Sequence, residues 1–302
     1  MKILFPASPL DERKPDESYA EEYESAQAAG FTVGLVNLEE LLLNRDPVRA
    51  IRMLKAEEER TEAIYRGWML KPADYALLFD TLKSRNLRLI NTPEQYKHAH
   101  YLPESYDKIA GRTPESVWVP AATPEPPMNE VYEAIRVFGE RPIVVKDYVK
   151  SRKHEWLEAC YIPNAADRDQ VERVVRTFLD RQGDELNEGL VFREFVELEL
   201  LSHHPRSGMP LSRETRVFVL DGKPAYVSNY WSAGEDREFE QALSEFVPTI
   251  AEVESRFFTM DFAKRKNGPW IVLELGDGQT AGLPDDTDAG VFYRKLSEAL
   301  HG

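Results

Sequence analysis

Apolar residues along this chain fall into two spacings. MKILFPAS (1–8) is a nearly unbroken apolar run of strand length, and FTVGLVNL (31–38), after Gly30, is a second. Such runs suit strands buried on both faces. Between them, residues 17 to 29 carry the spacing of a helix. TEAIYRGWML (61–70) predicts a further strand, ADYALLFDTLKSRN (73–86) an amphipathic helix, and LRLINT (87–92) a strand that stops ahead of Pro93. Elements alternating in this order build an α/β unit, a parallel sheet covered by helices. Its ligand edge lies at the carboxyl ends of the strands, near Pro6 to Ser8, Arg66 and Asn91.

From Arg112 to Asn129 the pattern breaks: Pro114, Pro120, Pro124, Pro126 and Pro127 interrupt regular structure and shift the composition towards a linker. The expected boundary therefore separates residues 1–112 from 113–302, the latter with a small lobe over about 130–192 and a large lobe over about 193–302. Periodicity then predicts strand PIVVKDYV, an extended basic loop, helix DRDQVERVVRTFLDRQ and strand GLVFREFVELELL. Strands ETRVFVL and PAYVSNYW follow, joined by the turn Asp221-Gly222-Lys223. Helix REFEQALSEFVPTIAEVES, strands FFTMDFAKR and WIVLELG, and a closing helix AGVFYRKLSEALHG complete the order. Asp221-Gly222 and Asn267-Gly268 are hairpin signals.

Composition narrows the class. The amino terminus has too little basic and apolar length for a secretory signal, and no stretch is long and apolar enough to span a bilayer. Cys160 is the only cysteine, so no intramolecular disulfide forms and cytoplasm is the default location. A net charge of -15 repels polyphosphates and anionic membrane surfaces, which argues against nucleic acid as a partner and against a membrane one. The exception is local: Lys146, Lys150, Arg152, Lys153 and His154 crowd into one segment, either a solvated basic loop or a seat for a phosphorylated small molecule.

Lys146 ends the apolar run Ile143 to Val145, where a buried strand delivers an ammonium to a cleft; Lys150, Ser151 and Arg152 can close over outer phosphates. The plain alternative is a strand with Lys146 facing solvent. In VFREFVELE, Glu194 is placed to meet ribose hydroxyls and the backbone of Phe195 and Val196 to meet an adenine edge, whereas Glu197 and Glu199 suit a wet sheet face. Glu214 and Arg216 share a strand face by the two-residue period, either as an ion pair or with Arg216 meeting a transferred phosphoryl group and Glu214 the ribose. Asp261 and Glu274 project from apolar strands joined by a hairpin signal, a geometry for one Mg²⁺ with phosphate oxygens and water. Arg66 is either a bidentate clamp for a carboxylate or a surface arginine. The chain has no Walker-type glycine loop, no G-x-G-x-x-G and no G-x-S-x-G elbow. His98, His100, His203 and His204 lack zinc spacing and read as loop or capping residues.

The order PIVVKDYVKS, VFREFV, ETRVFVLDGKP, FFTMDFA and WIVLELGDGQ resembles the ATP-grasp superfamily, especially its glutathione-synthetase-like members, over roughly residues 90 to 300. The amino-terminal RGWML and INTPEQYKHAHYLP are similar to a bacterial and phage branch. The resemblance implies an ATP-grasp fold behind a pre-ATP-grasp parallel-sheet domain, with ATP and Mg²⁺ bound between two lobes. It assigns Lys146 to the α- and β-phosphates, Glu194 to the nucleoside, Glu214 and Arg216 to ribose and phosphate, and Asp261 and Glu274 to magnesium. Lys108 becomes the first ATP lysine, with Lys97 as its competitor. Two features depart from the family: DYVKSRKHEW replaces a glycine-rich lid, and Glu274-Leu275-Gly276 replaces Glu-x-Asn, leaving Asp277 to reach a second metal.

The resemblance implies an ADP-forming ligase that activates a small-molecule or peptide carboxylate for attack by an amine, thiol or other nucleophile. Two other readings stand beside it: a non-catalytic nucleotide-binding protein, and an RNA-repair type of nucleic-acid ligase. A homodimer is left open.

Overall fold

A computed structural model describes residues 1–121, 127–203, 210–229, 237–284 and 287–301. In chain order its strands are β1 (Lys2–Pro6), β2 (Thr32–Val36), β3 (Thr61–Tyr65), β4 (Leu87–Leu89), β5 (Ser116–Pro120), β6 (Ile143–Asp147) and β7 (Tyr161–Ile162). They continue with β8 (Gly189–Glu194), β9 (Leu200–His203), β10 (Pro210–Ser212), β11 (Glu214–Leu220), β12 (Lys223–Asn229), β13 (Phe257–Lys264) and β14 (Trp270–Asp277). The chain divides into two contact units. The first comprises residues 1–100, 213–262 and 274–302, and the second 101–212 and 263–273.

The first unit holds two sheets. One has the order β2-β1-β3-β4, and all of its pairings are parallel. Every residue of β1 is buried, as the unbroken apolar run requires of a strand covered on both faces. Helix α1 (Pro72–Leu82) covers this sheet with Tyr75, Leu78, Phe79 and Leu82, buried at three- and four-residue spacing, and the chain turns back at Asn86 in the left-handed conformation, φ 56°. The other sheet has the order β12-β11-β13-β14. Its β11/β12 hairpin turns on Asp221 (φ 47°) and Gly222 (φ 74°), the paired positive φ values that an Asp-Gly turn supplies. Phe218, Leu220 and Phe257 of this sheet share a core with Ile3, Phe5 and Ile64 of the parallel sheet and with Phe292, Tyr293 and Leu296 of the closing helix α2 (Ala289–His301).

The second unit is built on an antiparallel sheet of order β5-β8-β6-β7. Helix α3 (Arg168–Gln182) packs Val171, Val174, Val175, Phe178 and Leu179 into its core; Asp167 caps the start by accepting from the Gln170 amide at 3.1 Å, and Gly183 ends it at φ 48°. Gly189 is needed for close approach, since a Cβ there would meet the Val119 carbonyl at 2.5 Å and the Tyr148 ring at 2.6 Å.

The structure amends several sequence expectations. The run 61–70 stays a strand only to Tyr65: the Arg66 amide still donates to the Leu4 carbonyl of β1 at 2.7 Å, but the Gly67 amide turns to the Gln279 carbonyl at 3.3 Å, and the run 189–201 breaks after Glu194 before resuming as β9. Inside the proline-rich segment lies β5, an edge strand whose last residue, Pro120, sits where a missing amide costs no central ladder bond. Pro124 and Pro126 of that segment, and Tyr230 and Trp231 of the expected strand 224–231, lie outside the described residues. Helices at Pro93–His100 and Leu102–Ile109 escaped the pattern reading: the first is polar and carries His98 and His100, and each is only 8 residues long, giving a short apolar stripe.

Candidate functional site

Three neighbouring strands of the first unit bring Arg216, Asp261 and Glu274 together. The order β11-β13-β14 places Arg216 beside β13, and its guanidinium binds Asp261 in bidentate fashion, Nε to Oδ1 at 2.8 Å and Nη2 to Oδ2 at 2.7 Å. Between β13 and β14, the Gly278 amide donates to the Phe257 carbonyl at 3.1 Å and the Thr259 hydroxyl approaches the Gly276 carbonyl at 3.4 Å. Two residues further along the same hairpin, Asp261 lies opposite Glu274. Asp261 is 8% exposed and Glu274 half-buried. Two oxygen-bearing carboxylates from adjacent strands match the small protein share of a Mg²⁺ coordination sphere, which otherwise takes phosphate oxygens and water. Among the described residues no group of three or more His, Cys, Asp and Glu forms a closed metal cage.

Asp277, expected to reach a second metal, is fully buried and faces protein donors instead: Oδ2 accepts from Asn91 Nδ2 at 2.6 Å, and Oδ1 from the Gln279 amide at 3.0 Å and its side chain at 3.2 Å. Burial pushes its carboxyl up to about 7, against the pull of those hydrogen bonds. Arg66 is not at the surface; it is 1% exposed. Nε and Nη2 donate to Glu22 at 3.0 and 3.1 Å, and Nη1 to the carbonyls of Gly278 and Ala281 at 2.6 and 2.7 Å. A carboxylate clamp needs parallel N–H donors turned to the substrate, and here the fork grips the protein. Burial opposes the Arg66 charge, but Glu22 and Tyr293 hold the guanidinium above its ordinary pKa.

In the second unit Lys146 stands one residue before the end of β6, opposite Val191 of β8 and bridged to Ser151. Ile143 and Val145 enter the core while Lys146 occupies the alternate face, and at 8% exposure it is buried rather than set out in solvent. Asp147, wholly buried, shapes the loop beyond it. One oxygen accepts from the amides of Val149 and Lys150, the other from Gln182 Nε2 at 3.0 Å and from Asn187 Nδ2 at 2.8 Å. Lys150 and Ser151 are exposed. Arg152 donates to Glu155 at 2.8 and 2.9 Å, to the Arg181 carbonyl and to Gln182 Oε1. Hydrogen bonds from Arg152 and Arg181 draw the Glu155 carboxyl down to about 2. Cys160, 2% exposed, lies near Lys146; burial pushes its thiol up to about 11.

At the end of β8, Glu194 accepts from Arg141 at 3.1 Å, and the Phe195 amide donates to the Pro142 carbonyl at 3.0 Å, so that amide is spent within the protein. The Phe195 ring meets Trp156 and Tyr161 edge-on at 5.8 and 5.1 Å, and Val196 is half-buried. Exposed Glu197 pairs with Lys266 at 2.9 Å, as a wet face permits. Glu214 opens β11, on the Arg216 face and half-buried. Lys108, near Asp107 at 3.6 Å, falls in the same unit as Lys146, whereas Lys97 falls in the other. His98 accepts from the Glu254 amide at 3.1 Å and His100 stacks on Tyr96; His204 lies outside the described residues, as does the side chain of His203. The bonds that define Asp277 and Arg66 reach across 186 and 212 residues, so no local pattern carries them.

Comparison with known proteins bears on this arrangement. No curated protein sequence matches the chain. Among solved structures it is similar to the D-cycloserine synthetase DcsG, with TM-score 0.60, 14% identity, and coverage of 99% of this chain and 100% of that one. It is also similar to a D-alanine–D-alanine ligase from Bacillus anthracis complexed with ATP, with TM-score 0.59, 12% identity and coverage of 99% and 95%. A third is the ATP-grasp ligase PsnB complexed with minimal precursor, Mg and ADP, with TM-score 0.53, 13% identity and coverage of 99% and 98%. At such identities the likeness is one of fold. Sequence decides the family: the model for the ATP-grasp domain, R2K clade family 3, matches residues 137–296, from just ahead of Lys146 past Asp261 and Glu274. With more than half of its length so matched, the chain belongs to the ATP-grasp superfamily, in family 3 of the R2K clade.

Proposed function

We propose that this protein is a Mg-ATP-dependent, ADP-forming ligase that activates a carboxylate as an acyl phosphate for attack by an amine or another nucleophile. The observation that carries the reading is the placement of Asp261 opposite Glu274 with Arg216 at its side, inside the family domain. Asp261 and Glu274 would hold magnesium, which when bound neutralises phosphate charge. Arg216 is suited to meet the charge that develops on the transferred phosphoryl group, and Lys146, near the end of a buried strand, to hold the inner phosphates. Lys108, Lys150 and Arg152 are further candidates for the phosphates, and Glu194, Val196 and Glu214 for the nucleoside.

In the first step a substrate carboxylate oxygen bonds to the γ-phosphorus while the bond from that phosphorus to the bridging oxygen breaks, and ADP leaves with the electron pair. In the second the nucleophile bonds to the acyl carbon, inorganic phosphate departs with the carbon–oxygen pair, and the nucleophile gives up its proton. The reading accords with neighbours whose names describe ligases, one of them complexed with its minimal precursor.

The experiment supplies Mg-ATP, a panel of amino acids and short peptides as carboxylates, and hydroxylamine as nucleophile, and follows ADP and hydroxamate. Carboxylate-dependent ADP with hydroxamate is the expected result. Lys146→Met should weaken ATP binding and turnover together, and Glu274→Gln should abolish turnover while keeping part of the nucleotide affinity. An AMP adduct on Lys146 with pyrophosphate release would overturn the proposal in favour of nucleotidyl transfer, although the chain reads Lys146-Asp147-Tyr148-Val149 rather than Lys-x-Asp-Gly. Tight Mg-ATP binding with no turnover for any acceptor would overturn it in favour of a nucleotide-binding protein.

A further inference from the structure

Arg66 occupies a position that a substrate clamp does not explain. It leaves the carboxyl end of β3 fully inside the first unit, with its guanidinium carbon 5.8 and 5.4 Å from the ring centroids of Phe218 and Phe292. One edge of the fork is fixed by Glu22, itself held by the Tyr293 hydroxyl at 2.7 Å. The remaining nitrogen, Nη1, clasps the carbonyls of Gly278 and Ala281, closing the turn that follows β14. The next residue is Gly282, and its carbonyl accepts from Arg216 Nη1 at 2.8 Å. The Arg216 guanidinium is thus set from two sides: Asp261 fixes Nε and Nη2, and the turn that Arg66 closes fixes Nη1.

We infer that Arg66 is a positioning residue for Arg216, acting through the Gly278–Gly282 turn to hold the Arg216 guanidinium in register. A planar fork is suited to this, because the two N–H bonds of one nitrogen diverge at a fixed angle in the guanidinium plane and so set the spacing of two carbonyls, while the other edge is locked by a carboxylate. A lysine in its place keeps the charge beside Glu22 but presents one flexible ammonium, so the turn and the Gly282 carbonyl lose their fixed reference. The inference rests on the reading of Arg216 as a ligand of the outer phosphate.

The test measures binding of Mg-ADP and of a magnesium complex of a non-hydrolysable ATP analogue by calorimetry, on the full chain. The variants are Arg66→Lys, the paired Glu22→Gln/Arg66→Met, Arg216→Met, and each Arg66 change combined with Arg216→Met. Removing the buried pair together avoids stranding an unpaired carboxylate, so one arm remains if the other fails to fold. Both Arg66 arms should weaken the triphosphate analogue about tenfold, change ADP less than about twofold, and add less than about twofold in the Arg216→Met background. Equal weakening of both nucleotides, or a full further loss in that background, would reduce Arg66 to a general structural residue and overturn the inference. Wild-type binding by both Arg66 arms, with Arg216→Met impaired, overturns the relay alone. An Arg216→Met protein that binds the analogue like the wild type overturns the phosphate reading beneath it.

Discussion

Asp277 sits where water does not reach, and each of its oxygens accepts from a protein donor. Its carboxyl, pushed up to about 7, stays protonated in the native chain after the unfolded chain has released the same proton at an ordinary value near 4. Between about pH 4 and 7 the native state binds more protons, so this group favours folding most at the acidic end and its contribution is lost as the pH rises. Asp277→Asn, which cannot ionise, should flatten the fall of stability across that window, by an amount on the order of a few kcal/mol. Denaturant melts at pH 5 and 7.5 read the slope; equal slopes in both proteins would show that the carboxyl ionises freely. The acidity of Asp277 and its nearness to Glu274 were legible in the sequence, but its role was not, because Asn91 comes from another strand end far back in the chain. Arg66 poses the same problem: the strand end was readable, and the carbonyls it grips were not.

The element that departs most from its family pattern is the basic loop beyond β6. In place of glycines it has a turn built on Asp147 and a strut built on Arg152, and Gln182 at the end of α3 touches both, donating to Asp147 at 3.0 Å and accepting from Arg152 at 3.2 Å. Gln182→Leu should release both ends of the loop at a cost of about 1–3 kcal/mol. Amide exchange over residues 148–153 should quicken while α3 stays protected; unchanged exchange would mean that Asn187 suffices to hold Asp147. Elements whose contacts repeat at short range were the legible ones. α3 shows its apolar stripe, β11/β12 its Asp-Gly turn, and β1 its unbroken apolar run. β5 was hidden because its prolines weaken the local signal and its evidence is the partner strand β8, some seventy residues on.

At the scale of the whole molecule, a net charge of -15 sets what can approach it. Single-stranded RNA should show no salt-sensitive binding in filter or anisotropy assays, and tight binding that weakens steeply with salt would contradict this. Mg-ATP at about a hundred times its dissociation constant should add about 2.7 kcal/mol to stability, seen as a rise in melting temperature that Lys146→Met diminishes. The one cysteine has a practical corollary. Thiolates, not thiols, react with alkylating reagents, and the Cys160 thiol is both enclosed and held at about 11. The native chain is therefore silent to such reagents at neutral pH, and labelling of Cys160 becomes a clock for the opening of its unit. A cysteine introduced anywhere on the surface would be labelled alone, giving a single-site background for spectroscopic probes without any residue having to be removed.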